Sequence, residues 1–388
     1  MAAVAAAVLL AVVGAVRLLS GDGAGDGGAP TEAEGEWLAM SPSPLAGRSS
    51  AVQEWTGTEM IVWGGSSCRE VPCSGAAADP QGDGAAYDPA TDRWRMIAPA
   101  PLAPRTGMAS AWTGSELLVW GGASAEEGFV DGAAYDPATD RWRPIASAPF
   151  PARRTAGMWT GQELVVWGGR DFASAELLAD GAAYDPATDR WRTLSPSPLS
   201  ARDLRGGIVW TGREVLMWGG GTGDTAFADG AAYDPATDRW RSLPRSPLEG
   251  RFARIAWTGT EAVIWGGEDW RQVFNDGAAY DPAAGTWRSL AEAPLNARVS
   301  PTATWTGREV LVWGGSPGTF ANFFGDGAAY DPAADTWRPM ARWSGRLAPP
   351  GVWTGSEMIV WGGTEPAGPS TPSAHPIQSS AEGRRYRP

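Results

Sequence analysis

Seven arginines recur at one position of the sequence, three residues after a Pro-Leu pair or its counterpart. They are Arg48, Arg105, Arg153, Arg202, Arg251, Arg298 and Arg346. A guanidinium group binds carboxylate, sulfate or phosphate through paired N–H donors, so this set indicates anion recognition. Because the position is the same each time, a structural role is the alternative, in which every arginine anchors loop carbonyls.

Three further arginines, Arg154, Arg205 and Arg254, follow closely on members of this set. They occur in only three of the units that the first set defines. A residue present in every unit of a repeat protein serves the same structural purpose each time, so residues that differ between units carry more information about a ligand. Arg154, Arg205 and Arg254 are therefore the more specific candidates for anion binding.

The elements that position these arginines follow from a repeat of about 48 residues, a period typical of propellers and other repeat arrays. The segment Asp-Gly-Ala-Ala-Tyr-Asp-Pro begins at Asp83, Asp131, Asp180, Asp229, Asp276 and Asp326. A diverged copy, Glu-Gly-Arg-Arg-Tyr-Arg-Pro, ends at Pro388. All seven tyrosines of the chain occupy one position of this segment, which predicts seven units.

Each unit contains four short segments rich in β-branched or aromatic residues, separated by turn signals. This pattern predicts a four-stranded antiparallel sheet, with strands that we name A to D. Strand A leads into a Thr-Gly turn, as at Thr56-Gly57, where glycine supplies a positive φ. Strand B, exemplified by residues 60–63, is apolar at every position and is expected to be buried on both faces. The predicted fold class is all-β.

The repeat resembles the kelch repeat through Gly64-Gly65, Tyr87 and Trp94, and this resemblance covers about residues 36–388. It implies a seven-bladed β-propeller built from four-stranded antiparallel blades. It also implies that an N-terminal strand D containing Trp37 joins strands A to C from residues 346–386. The two ends of the chain would then close the ring and leave no exposed sheet edge.

The same resemblance gives the recurring arginines a place in the fold. Each of the seven opens strand A, the innermost strand, so we expect their guanidinium groups to ring the mouth of the central channel. In kelch proteins that bind acidic peptides, arginines at the matching position help to form the pocket. The resemblance therefore implies ligand binding for these seven arginines, in addition to the unit-specific candidates Arg154, Arg205 and Arg254.

Aromatic residues outside the repeat pattern collect in the B–C and D–A loops, which share one face of the predicted disc. All nine phenylalanines lie there, together with Trp270 and Trp343. We take Trp270, Phe323 and Phe324 as candidate ligand-binding residues on this loop face. The alternative is that the aromatic side chains fill gaps between blades beneath the loops.

The formal net charge of −13 disfavours nucleic acid and anionic membrane surfaces as partners. Residues 2–16 contain only Ala, Val, Leu and Gly, so residues 1–20 are expected to be a signal peptide or a membrane anchor. Residues 21–35 form a Gly/Asp-rich linker, and residues 36–388 form the propeller. We expect an extracytoplasmic protein, secreted or anchored, which contacts membrane only through its N-terminal segment.

Cys68 and Cys73 lie close together in the long B–C loop of the first unit and predict a local disulfide in an exported protein. A zinc site would need two further ligands, and His375 is the only histidine. We therefore expect no metal and no cofactor. The chemistry of copper oxidases, sialidases or serine hydrolases needs a suitably placed histidine or a tyrosine outside the repeat position, and the sequence offers neither.

These observations favour a non-catalytic binding or scaffold protein, a monomer that recognises a protein or an acidic glycan or peptide on its loop face. No catalytic residue is assigned. One alternative is a metal-free carbohydrate-active enzyme of the epimerase or lyase type, which would use arginine and carboxylate groups alone. Another is a purely structural propeller that assembles through the edges of its blades.

Overall fold

The computed structural model describes residues 33–67, 79–318, 322–347, 351–367 and 377–388. Within these ranges the protein consists of β-strands and loops, with no helix. The strands form seven four-stranded antiparallel sheets, which are the blades of a β-propeller, and three short two-stranded ladders in the loops. The predicted all-β, seven-bladed fold is confirmed.

The strands of the first three blades follow in chain order. Strand β1 (Glu36–Ala39) precedes blade 1, which contains β2 (Val52–Trp55), β3 (Met60–Trp63), the loop ladder β4 (Ser66–Ser67) and β5 (Asp79–Pro80), β6 (Gly84–Asp88) and β7 (Arg93–Met96). Blade 2 contains β8 (Ala109–Trp112), β9 (Leu117–Trp120), β10 (Gly132–Asp136) and β11 (Arg141–Pro144). Blade 3 contains β12 (Arg153–Arg154), β13 (Gly157–Trp159), β14 (Leu164–Trp167), β15 (Arg170–Asp171), β16 (Gly181–Asp185) and β17 (Arg190–Thr193).

The remaining blades repeat this order. Blade 4 contains β18 (Ile208–Trp210), β19 (Val215–Trp218), β20 (Gly230–Asp234) and β21 (Arg239–Ser242). Blade 5 contains β22 (Ile255–Trp257), β23 (Ala262–Trp265), β24 (Gly277–Asp281) and β25 (Thr286–Ser289). Blade 6 contains β26 (Thr302–Trp305), β27 (Val310–Trp313), β28 (Gly327–Asp331) and β29 (Thr336–Met340). Blade 7 contains β30 (Gly351–Trp353), β31 (Met358–Trp361), the ladder β32 (Thr364–Pro366) and β33 (Ile377–Ser379), and β34 (Gly383–Arg387).

Strand A is the innermost strand of each blade. Strand β2 contacts β8 on one side and β30 on the other, and the inner strands between them contact one another in sequence around the ring. Every strand B is fully buried, as Met60–Trp63 shows, because its two faces pack against the neighbouring sheets. The continuous apolar run in strand B is thereby explained.

The Gly-Gly pair after strand B lets the start of strand A approach strand B within a blade. Gly64 and Gly65 have φ values of 66° and 89°, a region that favours glycine. A Cβ on Gly65 would lie 2.7 Å from the carbonyl oxygen of Ser49. Any larger residue would therefore push the start of strand A away from strand B.

Strand β1 supplies the fourth strand of the seventh sheet. It pairs antiparallel with β34, so that Trp37 lies opposite Tyr386 and Leu38 opposite Arg385. The Tyr386 hydroxyl donates a hydrogen bond to the Glu34 carbonyl oxygen at 2.7 Å. The residues at the two ends of the described chain thus belong to one sheet.

The glutamate after each Thr-Gly turn forms an ion pair with an arginine. Arg95 on strand D donates from Nε and Nη2 to the two carboxylate oxygens of Glu59, at 2.9 and 2.6 Å. The same two-point contact joins strand D to the start of strand B in blades 2 to 6. These carboxylates are part of the framework.

Several predictions from the sequence fall outside the described residues. They concern the N-terminal segment 1–20, most of the linker 21–35, and the disulfide between Cys68 and Cys73. In the part of the chain that the structure describes, no helix is long and apolar enough to cross a membrane.

Candidate functional site

The seven recurring arginines are buried, contrary to the expectation that they ring the channel mouth. The exposed fraction of each residue is at most 1%. This holds for Arg48, Arg105, Arg153, Arg202, Arg251, Arg298 and Arg346. A guanidinium group enclosed in this way cannot contact a ligand in solution.

Each buried arginine instead joins two neighbouring blades. In blade 2, Arg105 Nη1 donates to Asp131 Oδ1 at 2.7 Å and to the Gly121 carbonyl oxygen at 3.3 Å. Its own carbonyl oxygen accepts a hydrogen bond from Gly65 of blade 1 at 2.9 Å. The Arg105 side chain therefore bonds to its own blade, and the Arg105 backbone bonds to the preceding blade. The structural alternative for these residues is the one that the geometry supports.

The same arrangement recurs around the ring. The carboxylates that pair with the other buried arginines are Asp83, Asp180, Asp229, Asp276 and Asp326, with Glu382 and Glu365 in blade 7. These aspartates open the repeated Asp-Gly-Ala-Ala-Tyr-Asp-Pro segment. In blades 1 to 6, the recurring arginine is thus the ion-pair partner of the recurring aspartate.

Most phenylalanines of the loop face cover these arginines. The Arg298 guanidinium lies 4.4 Å from the ring centroid of Phe324, a cation–π contact. Phe129, Phe150, Phe227 and Phe274 cover Arg105, Arg153, Arg202 and Arg251 in the same way, and Trp343 covers Arg346. Phe324 is therefore a framework residue, in correction of its assignment to a binding surface.

Phe323 is half-buried, and its carbonyl oxygen would lie 2.1 Å from a Cβ on Gly345. It is not among the described residues that line the cavity presented next. The alternative interpretation, in which loop aromatics fill gaps between blades, describes Phe324, and the assignment of Phe323 stays a prediction.

A cavity of about 770 Å³, which we name the central cavity, lies where the segments before the inner strands meet. Blades 1 to 5 and blade 7 contribute to its wall. Its charged lining residues are Arg154, Arg170, Arg205, Arg254 and Asp203. Four guanidinium groups thus share the described wall with a single carboxylate, in a chain of net charge −13. The structure brings together all three of the unit-specific arginines.

The loop ladder of blade 3 places two of these arginines side by side. Strand β12 pairs with β15 so that Arg154 lies directly opposite Arg170. Both side chains are exposed, and like charges directly opposite each other in an antiparallel pair are destabilising. Arg170 Nη1 donates to the Ala175 carbonyl oxygen at 2.7 Å, but no described carboxylate pairs with either arginine. An anion between them would relieve this repulsion.

Arg254 contributes an uncompensated charge from blade 5. It begins the segment that leads into β22, is half-buried, and forms no hydrogen bond or ion pair with any described residue. Burial lowers the pKa of its guanidinium. A charged group enclosed without a partner costs free energy, so a bound anion would stabilise it.

Arg205 is more firmly held. Its Nε lies 3.3 Å from Asp203 Oδ2, and its Nη1 lies 3.8 Å from Glu268 Oε1. Its guanidinium also lies 4.6 Å from the ring centroid of Trp270. Trp270, a candidate from the sequence, is 44% exposed and stands beside the cavity through this contact.

Sequence reasoning missed Arg170 and Asp203. Arg170 directly follows the Gly-Gly pair of blade 3, where other blades carry Ser66, Ala123 or Glu268. The comparison between units that singled out Arg154 identifies Arg170 when it is extended to the start of the B–C loops. Its position opposite Arg154 depends on the ladder register, which the sequence does not reveal.

Among the described residues, no group of three or more histidine, cysteine, aspartate or glutamate side chains is arranged to hold a metal ion. The cavity wall instead offers guanidinium groups, hydroxyl groups and backbone. Its chemistry is that of anion binding by charge-assisted hydrogen bonds.

A family model described as the KLHDC2/KLHL20/DRC7 Kelch-repeats domain matches residues 49–254, a little more than half of the chain. No curated protein matches the chain in a sequence comparison. The match begins just before the first strand A and ends at Arg254, and the repeated segment occurs again beyond it at Asp276 and Asp326. Kelch propellers typically serve as scaffolds for protein interactions. From its repeats, its seven blades and this match, the chain belongs to the kelch-repeat family.

Proposed function

We propose that this kelch propeller is a non-catalytic binding protein that holds an anionic group of its ligand in the central cavity. The observation that carries the proposal is the convergence of Arg154, Arg170, Arg205 and Arg254 on one wall with Asp203 as the single described carboxylate. Arg205 is balanced by its own carboxylates, whereas Arg154 and Arg254 have none. The site therefore carries net positive charge.

Two features favour a ligand over a purely structural role for this cluster. The buried framework arginines each have a carboxylate partner, and their positions recur in every blade. Arg154 and Arg254 lack such a partner, and their positions hold an arginine in only one and two blades, respectively. A framework that can pair seven arginines gains no stability from leaving two unpaired, so their cost is offset by another interaction.

The proposal is tested by thermal unfolding of the full chain in sodium sulfate and sodium citrate, at an ionic strength matched with sodium chloride. Binding to the folded state alone raises Tm in proportion to ln(1 + [L]/Kd). We expect the anions to raise Tm of the wild type and to lose this effect in Arg154→Ala/Arg254→Ala.

The matched control is Arg213→Ala/Arg308→Ala. These arginines are exposed, follow the Thr-Gly turns on the opposite face, and make no side-chain ion pair with a described residue. The control removes the same charge, so it separates local binding from bulk electrostatics. A wild type that no anion stabilises, or a cavity variant that responds like the control, would overturn the proposal.

We further propose that the protein acts outside the cytoplasm. This rests on the composition of residues 2–16, which suits an export signal or an anchor. A reporter enzyme that is active only after export, fused after Pro388, is expected to be active with residues 1–20 present and inactive without them. Equal activity of the two fusions would contradict the proposal.

A further inference from the structure

The indole of Trp270 forms an exposed platform next to the central cavity, in contact with Arg205 of the cavity wall. Its ring lies 5.2 Å from that of Phe252 in an edge-to-face contact, and its Nε1 donates to the Thr222 carbonyl oxygen at 3.3 Å. The Arg205 guanidinium lies 4.7 Å from Phe252 and 4.6 Å from Trp270. Trp270 nevertheless remains 44% exposed.

The loop that carries Trp270 is held by several hydrogen bonds. The Asp269 carboxylate accepts hydrogen bonds from the backbone N–H groups of Arg271 and Gln272, at 2.9 and 2.8 Å. Gln272 Nε2 donates in turn to Glu249 Oε2 at 2.8 Å. The ring is therefore presented in one orientation, which lowers the entropy lost when a ligand stacks on it.

The fold does not require tryptophan at this position. The B–C loops of blades 2, 4 and 5 have equal length from the Trp-Gly-Gly motif to the following aspartate, and Ala125 and Gly223 occupy the place of Trp270. Trp270 also has a φ of 73°, which is unfavourable for a bulky side chain. A strained residue that the framework can replace by alanine or glycine points to function.

The wall of the central cavity indicates what lies on this platform. Its described apolar side chains larger than alanine are Met108 and Leu347. It also presents hydroxyl side chains, from Ser49, Ser50, Thr106, Thr155 and Thr364. A protein partner anchors itself through apolar pockets, which are nearly absent here. Hydroxyl groups beside arginines match a polyhydroxylated, acidic molecule.

We propose that the ligand is an acidic saccharide, with a carboxylate bound by the cavity arginines and a sugar ring stacked on Trp270. The proposal rests on the anion site of the proposed function and names the class of its ligand. The apolar C–H face of a pyranose packs on the indole, and its hydroxyl groups exchange hydrogen bonds with the serine and threonine side chains.

The test is isothermal titration of the full chain with trigalacturonate, with neutral maltotriose and with the peptide triglutamate. We expect trigalacturonate to bind and maltotriose to bind at least about tenfold more weakly, because it lacks the carboxylates. Trp270→Ala should weaken the binding of trigalacturonate by about fivefold or more, and Trp270→Phe should restore part of the lost affinity. Triglutamate binding should be the same in Trp270→Ala as in the wild type.

Met96→Ala is the control, because Met96 is 50% exposed on the outer strand of blade 1. If Trp270→Ala binds trigalacturonate as tightly as the wild type, the sugar ring does not stack on Trp270. If triglutamate binds and trigalacturonate does not, the proposal of a saccharide ligand is wrong, although the proposed anion site is supported. If sulfate, citrate and both acidic probes all fail to bind, the proposed function itself is wrong.

Discussion

Arg387 Nη2 donates a hydrogen bond to Glu357 Oε1 at 2.5 Å, and this pair replaces one that strand D supplies in the other six blades. There the arginine stands on strand D, as Arg95 does in blade 1. In blade 7 that place is taken by Leu38, and the residue opposite it on strand C is Arg385. In blade 7 the arginine therefore stands on strand C and the apolar residue on strand D, next to the buried Glu357, whereas in blade 1 the arginine is on strand D and Ala86 is on strand C.

This exchange predicts a compensating double variant. Leu38→Arg should destabilise the fold, because it places a like charge opposite Arg385, and Arg385→Ala should destabilise it by removing a partner of Glu357. The double variant restores the arrangement of the other blades. In urea unfolding we expect each single change to lower the free energy of unfolding by about 1–3 kcal/mol, and the double change to lower it by less than their sum. Additive losses would contradict the exchange.

Blade 7 should also open before the others. Its strand D comes from the opposite end of the chain, so only non-covalent contacts join β1 to β34, whereas a short turn joins strands C and D elsewhere. We expect amide hydrogens of β34 to exchange faster in native-state hydrogen exchange than those of β28, the equivalent strand of blade 6. Equal protection of the two strands would show that the ring opens without regard to this junction.

The two classes of arginine should differ in their effect on stability. Arg105→Met removes a buried side chain that holds Asp131 and a neighbouring carbonyl, so it should lower the free energy of unfolding by about 2–4 kcal/mol. Arg254→Met removes an enclosed charge without a described partner, so it should change stability by less than about 1 kcal/mol or raise it. Urea unfolding without added anions measures both. A larger loss for Arg254→Met would place that residue in the framework.

The sequence predicted the number of blades and the order of strands, because each unit repeats the same turn and strand signals. It misplaced the seven recurring arginines, because the position at the start of strand A does not tell whether the side chain turns inward. The partner that decides this, Asp83 for Arg48, lies 35 residues further along the chain. Recurrence was the available signal, and it favoured the structural role.

The candidate site was predictable only in part, for a related reason. Arg154, Arg205 and Arg254 could be found because they break the repeat. The pairing of Arg154 with Arg170 depends on a two-residue ladder, which is too short to leave a periodic signal. The exposure of Trp270 depends on contacts with blade 4, and those are visible only once the blades are packed.

A half-buried glutamate in the inner wall of blade 1 predicts how stability depends on pH. Glu54 lies on β2, and its Oε1 accepts a hydrogen bond from the Ser110 hydroxyl of blade 2 at 2.8 Å. Burial raises the pKa of Glu54 to about 7, and the Ser110 hydrogen bond opposes this rise. The unfolded chain loses this proton near the ordinary glutamate pKa of 4.5, so the folded state binds more protons between the two values.

This difference in bound protons decides whether stability rises or falls with pH. Glu54 leaves stability unaffected below about pH 4.5, and it lowers the free energy of unfolding progressively as the pH rises through 7. Glu54→Gln removes the charge and keeps an oxygen that can accept from Ser110. The variant should therefore match the wild type at pH 4.5 and exceed it by about 1–3 kcal/mol at pH 8, measured by urea unfolding across the range. Ser110→Ala should move the wild-type loss to higher pH, since it removes the bond that lowers this pKa. A constant difference between Glu54→Gln and the wild type at every pH would show that the carboxyl does not titrate in this window.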